Sequence, residues 1–179
     1  MRKVLFTAAL LVICTFAHAQ KETVKSVTNV VCFLPSVTAV AATIFQYDGK
    51  GFVELGFSSV TAIALNYGLE AIIDKESPDG RSLHSFPSTH TLAAFNGATF
   101  LMRRYGWKYG VPAYAVASLV GWGRTYAGCH DWWDVLGGAA VGAASALIYT
   151  RPFAKDIDLT IAPVAYPAGG CGLYACINF

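Results

Sequence analysis

The sequence GRTYAGCHDWWDVLGGAAVGA, residues 123–143, joins a cluster of polar side chains to an apolar, glycine-rich run. His130 and Asp134 are four residues apart at the start of that run, where a helix would place them on one face and let the carboxylate hydrogen-bond the imidazole. A histidine oriented in this way can act as a nucleophile or general base, and the carboxylate stabilises the cation that forms. Arg124, six residues earlier, offers a planar set of donors suited to phosphate oxygens. The stretch therefore predicts a helix start with groups suited to phosphate, but the spacing is common by chance, and a capping or solvated role is the default interpretation when the stretch is taken alone.

A second polar stretch, HSFPSTHT, occupies residues 84–91. Pro87 ends the preceding loop, Ser88 is a favourable N-cap, and His90 would lie in the first helical turn. The unpaired amides and partial positive charge of a helix N-terminus can hold a phosphate oxygen, with the hydroxyl and the imidazole beside it. An ordinary cap with a surface histidine is the alternative interpretation, and His84 is interpreted as a solvated loop residue.

The composition indicates a membrane protein. The chain has 179 residues, of which 55% are apolar and 13% are charged, and its mean hydropathy is +0.47. These values are high for a soluble domain, although a soluble all-helical bundle remains an alternative. The net charge of +2 is not concentrated in any lysine or arginine cluster, which excludes nucleic-acid binding.

The distribution of apolar segments predicts the topology. A basic start, an apolar run over residues 4–16 and a small-residue site ending at Ala19 predict a signal peptide over residues 1–19. Five candidate helices follow, over residues 30–45, 52–73, 89–102, 109–120 and 135–149. Three basic residues between the third and fourth segments indicate a cytoplasmic loop, which are Arg103, Arg104 and Lys108. Residues 74–88 and 124–134 would then face one another on the periplasmic side.

The helical membrane domain is expected to span residues 20–152, and the tail over 153–179 has a different character. Short strands over 158–163 and 172–177 flank the turn YPAGG, which predicts a β-hairpin. Cys171 and Cys176 are five residues apart, so within one strand they would point to opposite faces and should not form a disulfide. Cys129 is either a reactive thiol beside His130 or a small buried side chain. No metal site is expected.

Together, FPSTHT, GRTYAGCHDWWD and VLGGAAVGA resemble the motifs of the type 2 phosphatidic acid phosphatase family. The family signature is K-x6-R-P, then P-S-G-H, then S-R-x5-H-x3-D, and the resemblance extends over residues 69–144. Six residues match the second and third blocks, and these are Pro87, Ser88, His90, Arg124, His130 and Asp134.

The resemblance implies an all-α, membrane-embedded bundle of five to six helices with a haloperoxidase-like fold, here followed by the short hairpin. It also implies hydrolysis of a phosphate ester or anhydride in two steps through a phosphohistidine, without a metal or other cofactor. In such a reaction His130 would attack phosphorus, Asp134 would orient it, and His90 would protonate the leaving oxygen. Arg124 and the groups around Ser88 would stabilise the phosphoryl oxygens.

The first block of the family signature is degenerate in this chain. Glu70 occupies the position of its lysine and Ser77 that of its arginine. Lys75 and Arg81 belong to the same loop and are hypothesised to supply the missing charge from shifted positions. Thr89 also replaces a glycine, and Gly123 replaces a serine that would donate a hydrogen bond. The residues expected to bind the substrate phosphate are Arg124, Ser88, Thr89, Lys75 and Arg81.

The sequence thus predicts a phosphatase in the bacterial cell envelope, most simply the inner membrane, with a periplasmic active site. Its expected partner is a phosphorylated lipid, such as phosphatidic acid, a lipid A phosphate or a polyprenyl diphosphate. The degenerate first block leaves an alternative, a non-catalytic member that binds a phosphorylated lipid or acts as an envelope scaffold. A vanadate-binding relative of the haloperoxidases is disfavoured, because a site short of cations would bind a trianion poorly.

Overall fold

The computed structural model describes residues 21–80, 83–153, 158–165 and 171–178, with the backbone alone in the last two ranges. The predicted signal peptide lies outside the described residues. Within them, six helices follow one another, α1 (Lys21–Val31), α2 (Leu34–Phe45), α3 (Gly49–Ile72), α4 (Thr89–Tyr105), α5 (Trp107–Tyr126) and α6 (Trp132–Tyr149). The predicted all-α architecture of five to six helices is confirmed in this part of the chain.

The five predicted segments correspond to α2–α6, with ends that differ by a few residues. The helix that hydropathy did not predict is α1, because its sequence KETVKSVTNVV mixes polar and apolar residues and only its last residues belong to an apolar run. Its buried residues, Val24 and Thr28, are one turn apart, which is the pattern of a helix that packs along a single stripe. A short break at residues 32–33 separates α1 from α2, whose first turn contains Pro35.

The central helix is α4, which contacts α2, α3, α5 and α6. It packs most closely against α6, where two glycines of the VLGGAAVGA run face its backbone. A Cβ atom at Gly138 would collide with the carbonyl oxygen of Ser88, and one at Gly142 with that of Leu92. The absence of side chains at these two positions brings the start of α4 and the start of α6 together. His90 and Asp134 lie in these two first turns.

Among the described residues, two helical segments are long and apolar enough to cross a membrane. They are residues 21–45, formed by α1 and α2, and 49–72, formed by α3. Many of their large apolar side chains face outwards; Val30, for example, is 73% exposed and Phe45 is 83% exposed. Side chains of this kind are stable in contact with lipid, whereas a soluble protein rarely exposes so large an apolar surface.

At the end of the bundle remote from α1, a buried ion-pair cluster joins α3 to α4. The guanidinium of Arg104 contacts Asp48 at 2.5 and 2.7 Å and Glu54 at 3.1 Å. The sequence treated Arg104 as a free loop charge, but it is buried and neutralised. Of the three basic residues in this turn, Arg103 and Lys108 are exposed.

Two strands follow the helices, β1 (Asp158–Ala165) and β2 (Cys171–Asn178). They pair antiparallel, with Asp158 opposite Asn178 and Ala165 opposite Cys171. The strand segments predicted from sequence lie within these bounds. The turn between them, residues 166–170, lies outside the described residues, so the hairpin as a whole stays a prediction.

Candidate active site

The two polar stretches meet at one end of the bundle and enclose a cavity of about 240 Å³. Lys25 of α1, the first turn of α4, the loop that follows α3 and the region from the end of α5 to the start of α6 form its walls. Its lining includes Lys25, His84, Ser85, His90, Arg124 and His130. The predicted meeting of the two stretches is thus confirmed.

His130 is held by a backbone carbonyl of the other stretch. Its Nδ1 lies 3.0 Å from the carbonyl oxygen of Ser85. Because that oxygen can only accept, Nδ1 carries the proton in this arrangement and Nε2 keeps its lone pair. The Asp134 carboxylate, predicted as the direct partner, is 3.6 Å from Nδ1. The ring is therefore oriented mainly by Ser85, with Asp134 as a nearby negative charge.

Asp134 is completely buried and is held by three neighbours. Its Oδ2 accepts from the hydroxyl of Ser85 at 2.6 Å and from the amide of Asp131 at 3.1 Å. Its Oδ1 accepts from the ammonium of Lys75 at 2.6 Å. The amide of Asp134 in turn donates to the side chain of Asp131, and this reciprocal pair caps the start of α6. These hydrogen bonds hold the Asp134 carboxylate in a single orientation.

Lys75 takes a different position from the one expected of a phosphate-binding residue. Its ammonium lies between Asp131 and Asp134, at 2.6 Å from each carboxylate. Burial opposes its charge, but the hydrogen bonds to both carboxylates outweigh burial and raise the pKa of Lys75. It is absent from the lining of the cavity. Lys75 therefore stabilises the carboxylates behind His130, and its charge is already matched.

His90 lies in the first turn of α4, outside the two candidate spans, and lines the cavity together with His130. Burial, followed by the positive charge of Arg124 and the proximity of His130, lowers the pKa of His90 to about 4. Burial and Arg124 also lower the pKa of His130, although Asp134 and the carbonyl of Ser85 oppose the shift. Both imidazoles are therefore neutral near pH 7 when the cavity is empty.

Arg124 lines the cavity near the end of α5 and is buried. One of its terminal nitrogens, Nη1, donates to the side-chain oxygen of Asn29 on α1 at 2.7 Å. Its Nε is buried and has no hydrogen-bond partner among the described residues. A buried donor without a partner is costly, so an anion in the cavity would stabilise this side chain.

Ser88 and Thr89 differ in their access to the cavity. Ser88 is the N-cap residue of α4, as predicted, but it is buried and its amide donates to the carbonyl of Asp134 at 3.0 Å. Its hydroxyl accepts from Thr91 at 3.1 Å, so neither group faces the cavity. Thr89 lines the cavity. Arg81, the remaining predicted phosphate-binding residue, lies outside the described residues.

Glu70, at the position of the family's lysine, is next to this site without a cationic partner among the described residues. Its carboxylate accepts from Asn66 at 2.6 Å and lies 3.4 Å from the hydroxyl of Thr89. His84, interpreted from sequence as a solvated loop residue, has a side chain that is 55% exposed, yet it also lines the cavity. Its Nδ1 lies 3.1 Å from the carbonyl oxygen of Glu70.

Sequence reasoning missed three residues of this site. Ser85 stands within the quoted stretch HSFPSTHT, but no spacing rule indicates that its hydroxyl and carbonyl would bind Asp134 and His130. Lys25 and Asn29 belong to α1, about a hundred residues before Arg124 in the chain. Their spacing of four residues was the available signal, since it places a cation and an amide on one helical face.

The helical part of the chain also matches a known protein family. The model of the PAP2 superfamily matches residues 53–158, more than half of the chain. The chain belongs to the PAP2 superfamily. It is therefore a PAP2-type lipid phosphate phosphatase, a hydrolase, and a membrane protein with two candidate spans. The matched range contains His90, Arg124, His130 and Asp134 but excludes α1.

Several characterised proteins are similar to this PAP2 member. It is 28% identical over 140 residues to the lipid A 4'-phosphatase of Helicobacter pylori, covering 72% of this chain and 70% of that protein. It is 34% identical over 149 residues to the lipid A 1-phosphatase of Porphyromonas gingivalis, covering 74% of this chain but only 34% of that protein. The crystal structure of Aquifex aeolicus LpxE has the same fold, with a TM-score of 0.60, 22% identity, and coverage of 78% of this chain and 93% of that one.

Proposed function

We propose that the chain hydrolyses a lipid-linked phosphate through a phosphohistidine on His130. The observation that carries this proposal is the hydrogen bond from Nδ1 of His130 to the carbonyl of Ser85. That bond leaves the lone pair of Nε2 available on a ring that lines the cavity together with His90 and Arg124. A nucleophile, a proton donor and a cation then share one small polar site.

The reaction proceeds in two balanced steps. In the first, Nε2 of His130 forms a bond to phosphorus, the bond from phosphorus to the lipid oxygen breaks, and that oxygen takes a proton from His90. In the second, water attacks phosphorus and gives a proton to His90, and the bond from phosphorus to Nε2 breaks. Arg124 stabilises the negative oxygens during both steps, which is the main contribution a protein makes to phosphoryl transfer.

His90 can act as a general acid only when it is protonated, and substrate binding favours that protonation. In the empty cavity the pKa of His90 is about 4, so the ring is neutral at physiological pH. A phosphate anion bound beside it favours the charged imidazolium and raises that pKa. Substrate binding thus prepares the general acid, and the neutral state of His130 keeps the nucleophile active.

Lipid A is the substrate class to test first, because two of the similar proteins are named as lipid A phosphatases. Phosphatidic acid and polyprenyl diphosphates present the same terminal phosphate and are the other candidates. The exposed apolar side chains of α2 and α3 favour a site beside lipid, where the phosphate of a head group would reach the cavity from the membrane surface.

The proposed location is the bacterial inner membrane, with the cavity facing the periplasm. The basic side chains at the opposite end of the bundle are exposed, and these are Lys50, Arg103, Lys108 and Arg151. Cytoplasmic ends of membrane helices carry an excess of lysine and arginine. The exposed basic side chains at this end are the basis of the proposed orientation, and Arg104, which is buried in an ion pair, is not among them.

The test is phosphate release by the detergent-purified protein from lipid A, phosphatidic acid and a polyprenyl diphosphate. His130→Ala should abolish release, and acid-labile labelling of the protein should disappear with it. His84→Ala is the matched control, because that histidine lines the same cavity but lies outside the family signature, and its loss should be much smaller. Equal activity of His130→Ala and wild type would overturn the proposed mechanism.

A second candidate, a non-catalytic lipid-phosphate binder, is favoured by one observation. Glu70 lies beside Thr89 at the edge of the cavity where the family has a lysine. A non-catalytic member would bind the lipid phosphates with no release above the level of His130→Ala. The same assay, accompanied by a lipid-binding measurement, separates the two.

A further inference from the structure

The two basic positions of the first family block are not basic in this chain. Glu70 and Ser77 occupy the two basic positions, and Lys75 is matched by two buried or half-buried carboxylates. Among the described residues of that loop, none presents an unmatched positive charge to the cavity. Among the described residues of the loop and the two quoted stretches, a phosphate would therefore meet one guanidinium, that of Arg124, and a second cation would help to balance its two negative charges.

The helix α1 brings a second cation to the cavity. Lys25 lines it, and its ammonium lies 3.8 Å from the carboxylate of Asp79, which also lines the cavity. Both side chains are about a quarter exposed, and an ion pair that is this long and partly accessible to solvent contributes little to stability. A phosphate oxygen can therefore exchange for the carboxylate at small cost.

One turn further along the same face, Asn29 accepts the hydrogen bond from Nη1 of Arg124 at 2.7 Å. This contact fixes the guanidinium while its Nε stays without a partner among the described residues. The helix α1 thus contributes one cation directly and positions the other.

A departure from the family signature explains why α1 can lie so close. Gly123 replaces the serine before Arg124, and a Cβ atom there would be 2.6 Å from Cγ2 of Thr28 and 3.2 Å from Cγ1 of Val24. These are the two buried residues of α1. A serine at position 123 would push α1 outwards and carry Lys25 and its neighbours away from the cavity. The position of α1 beside the cavity therefore depends on the glycine at position 123.

We propose that Lys25 binds the substrate phosphate in place of the lysine of the first family block, and that Asn29 is a positioning residue for Arg124. This inference rests on the proposed function, since it assigns a further residue to the same phosphate site. It makes α1, which lies outside the range matched by the superfamily model, part of the active site.

The test compares Lys25→Gln, Lys25→Arg and Lys21→Gln in the full-length protein. Lys21 lies one turn earlier on α1 and is exposed, so its substitution removes the same charge from the same helix outside the site. With a lipid phosphate as substrate, Lys25→Gln should lower kcat/KM about tenfold or more, mainly through a higher KM. Lys25→Arg should keep most of the activity and Lys21→Gln all of it. If Lys25→Gln does not fold, Lys25→Met takes its place, because it keeps the apolar stem.

A second measurement separates failure of this inference from failure of the proposed function. The inhibition constant of inorganic phosphate should rise about tenfold in Lys25→Gln and stay unchanged in Lys21→Gln. If Lys25→Gln matches wild type in both measurements while His130→Ala is inactive, the inference is wrong and the proposed function stands. If wild type itself releases no phosphate, the proposed function fails. The role of Lys25 is then tested by measuring the affinity of wild type and Lys25→Gln for inorganic phosphate. Weaker binding in Lys25→Gln alone supports Lys25, and equal binding overturns it.

Discussion

Lys75→Met tests whether Lys75 binds the phosphate or supports the nucleophile. Asp134 is 0% exposed, and its Oδ1 has no other hydrogen-bond partner among the described residues besides Lys75. Removing one partner of a buried ion pair costs roughly 3–5 kcal/mol, and hydrogen bonds to charged groups contribute roughly 1.5–3 kcal/mol. Because the side chain of Lys75 is 30% exposed, water can replace part of the lost interaction, and we expect destabilisation of about 2–3 kcal/mol.

The assay pairs thermal unfolding with steady-state kinetics. At about 2–4 °C per kcal/mol for a chain of this size, the melting temperature should fall by several degrees. The kinetic effect should appear in kcat, because a displaced Asp134 no longer stabilises the imidazolium of His130, and KM should change little. Lys108→Met, which removes an exposed lysine at the opposite end of the bundle, is the matched control and should alter neither quantity.

The opposite kinetic pattern would refute this reasoning. If Lys75→Met raised KM, left kcat intact and did not lower the melting temperature, Lys75 would be a phosphate ligand, as the sequence alone indicated. Lys75→Arg would add detail, since a guanidinium can pair with both Asp131 and Asp134 and should retain most of the stability. The contrast with Lys25→Gln, which should act on KM, distinguishes two lysines that sequence analysis cannot separate.

Three further predictions concern the charges around the nucleophile. Asp134→Asn should lower kcat by only about 10- to 100-fold, because the carbonyl of Ser85 still orients the His130 ring. This loss is smaller than the ~10⁴-fold loss seen when a triad aspartate alone sets the tautomer. Steady-state kinetics would measure the change in kcat, and a complete loss of activity would contradict the prediction. Glu70→Lys should raise kcat/KM about tenfold by replacing a repulsive charge beside the cavity, and unchanged kinetics would mean that Glu70 does not sense the phosphate. Binding of sulfate, a dianion that does not itself titrate, should be accompanied by proton uptake by wild-type protein at about pH 5.5, because the bound anion raises the low pKa of His90. Calorimetry in buffers of different ionisation enthalpy measures this uptake, which should disappear in His90→Asn. Uptake that persists in this variant would assign the proton to another group.

Most of the fold could be predicted from the sequence, because long apolar segments and helix caps are local features. Hydropathy predicted α2–α6, and the N-cap at Ser88 was predicted correctly. The helix α1 was missed because its apolar stripe is narrow and its packing against α5 depends on the missing side chain at Gly123. That contact joins residues almost a hundred positions apart, and no periodicity within either segment reports it.

The site was predictable where chemistry follows spacing and unpredictable where it follows tertiary contact. The four-residue interval between His130 and Asp134 indicated a pair, yet the hydrogen bond that orients the ring comes from the backbone of Ser85. A backbone carbonyl is present in every residue, so its role leaves no trace in the sequence. Lys75 was assigned to the phosphate because it lies in the loop where the family's lysine and arginine are missing, whereas the capped start of α6 presents two carboxylates that bind it.

The positions of the two lysines follow from one electrostatic requirement. A fully buried carboxylate such as that of Asp134 is costly without a partner, and Lys75 pairs with it at 2.6 Å. Once Lys75 is committed to this carboxylate, it cannot also balance a phosphate, and the loop offers Glu70 rather than the family's lysine. Among its described residues, the loop then presents no unmatched positive charge to the cavity, whereas α1 presents Lys25. Lys25 of α1 lines the cavity and makes a long, partly exposed ion pair with Asp79, which is why loss of its charge should weaken phosphate binding without disturbing the histidine.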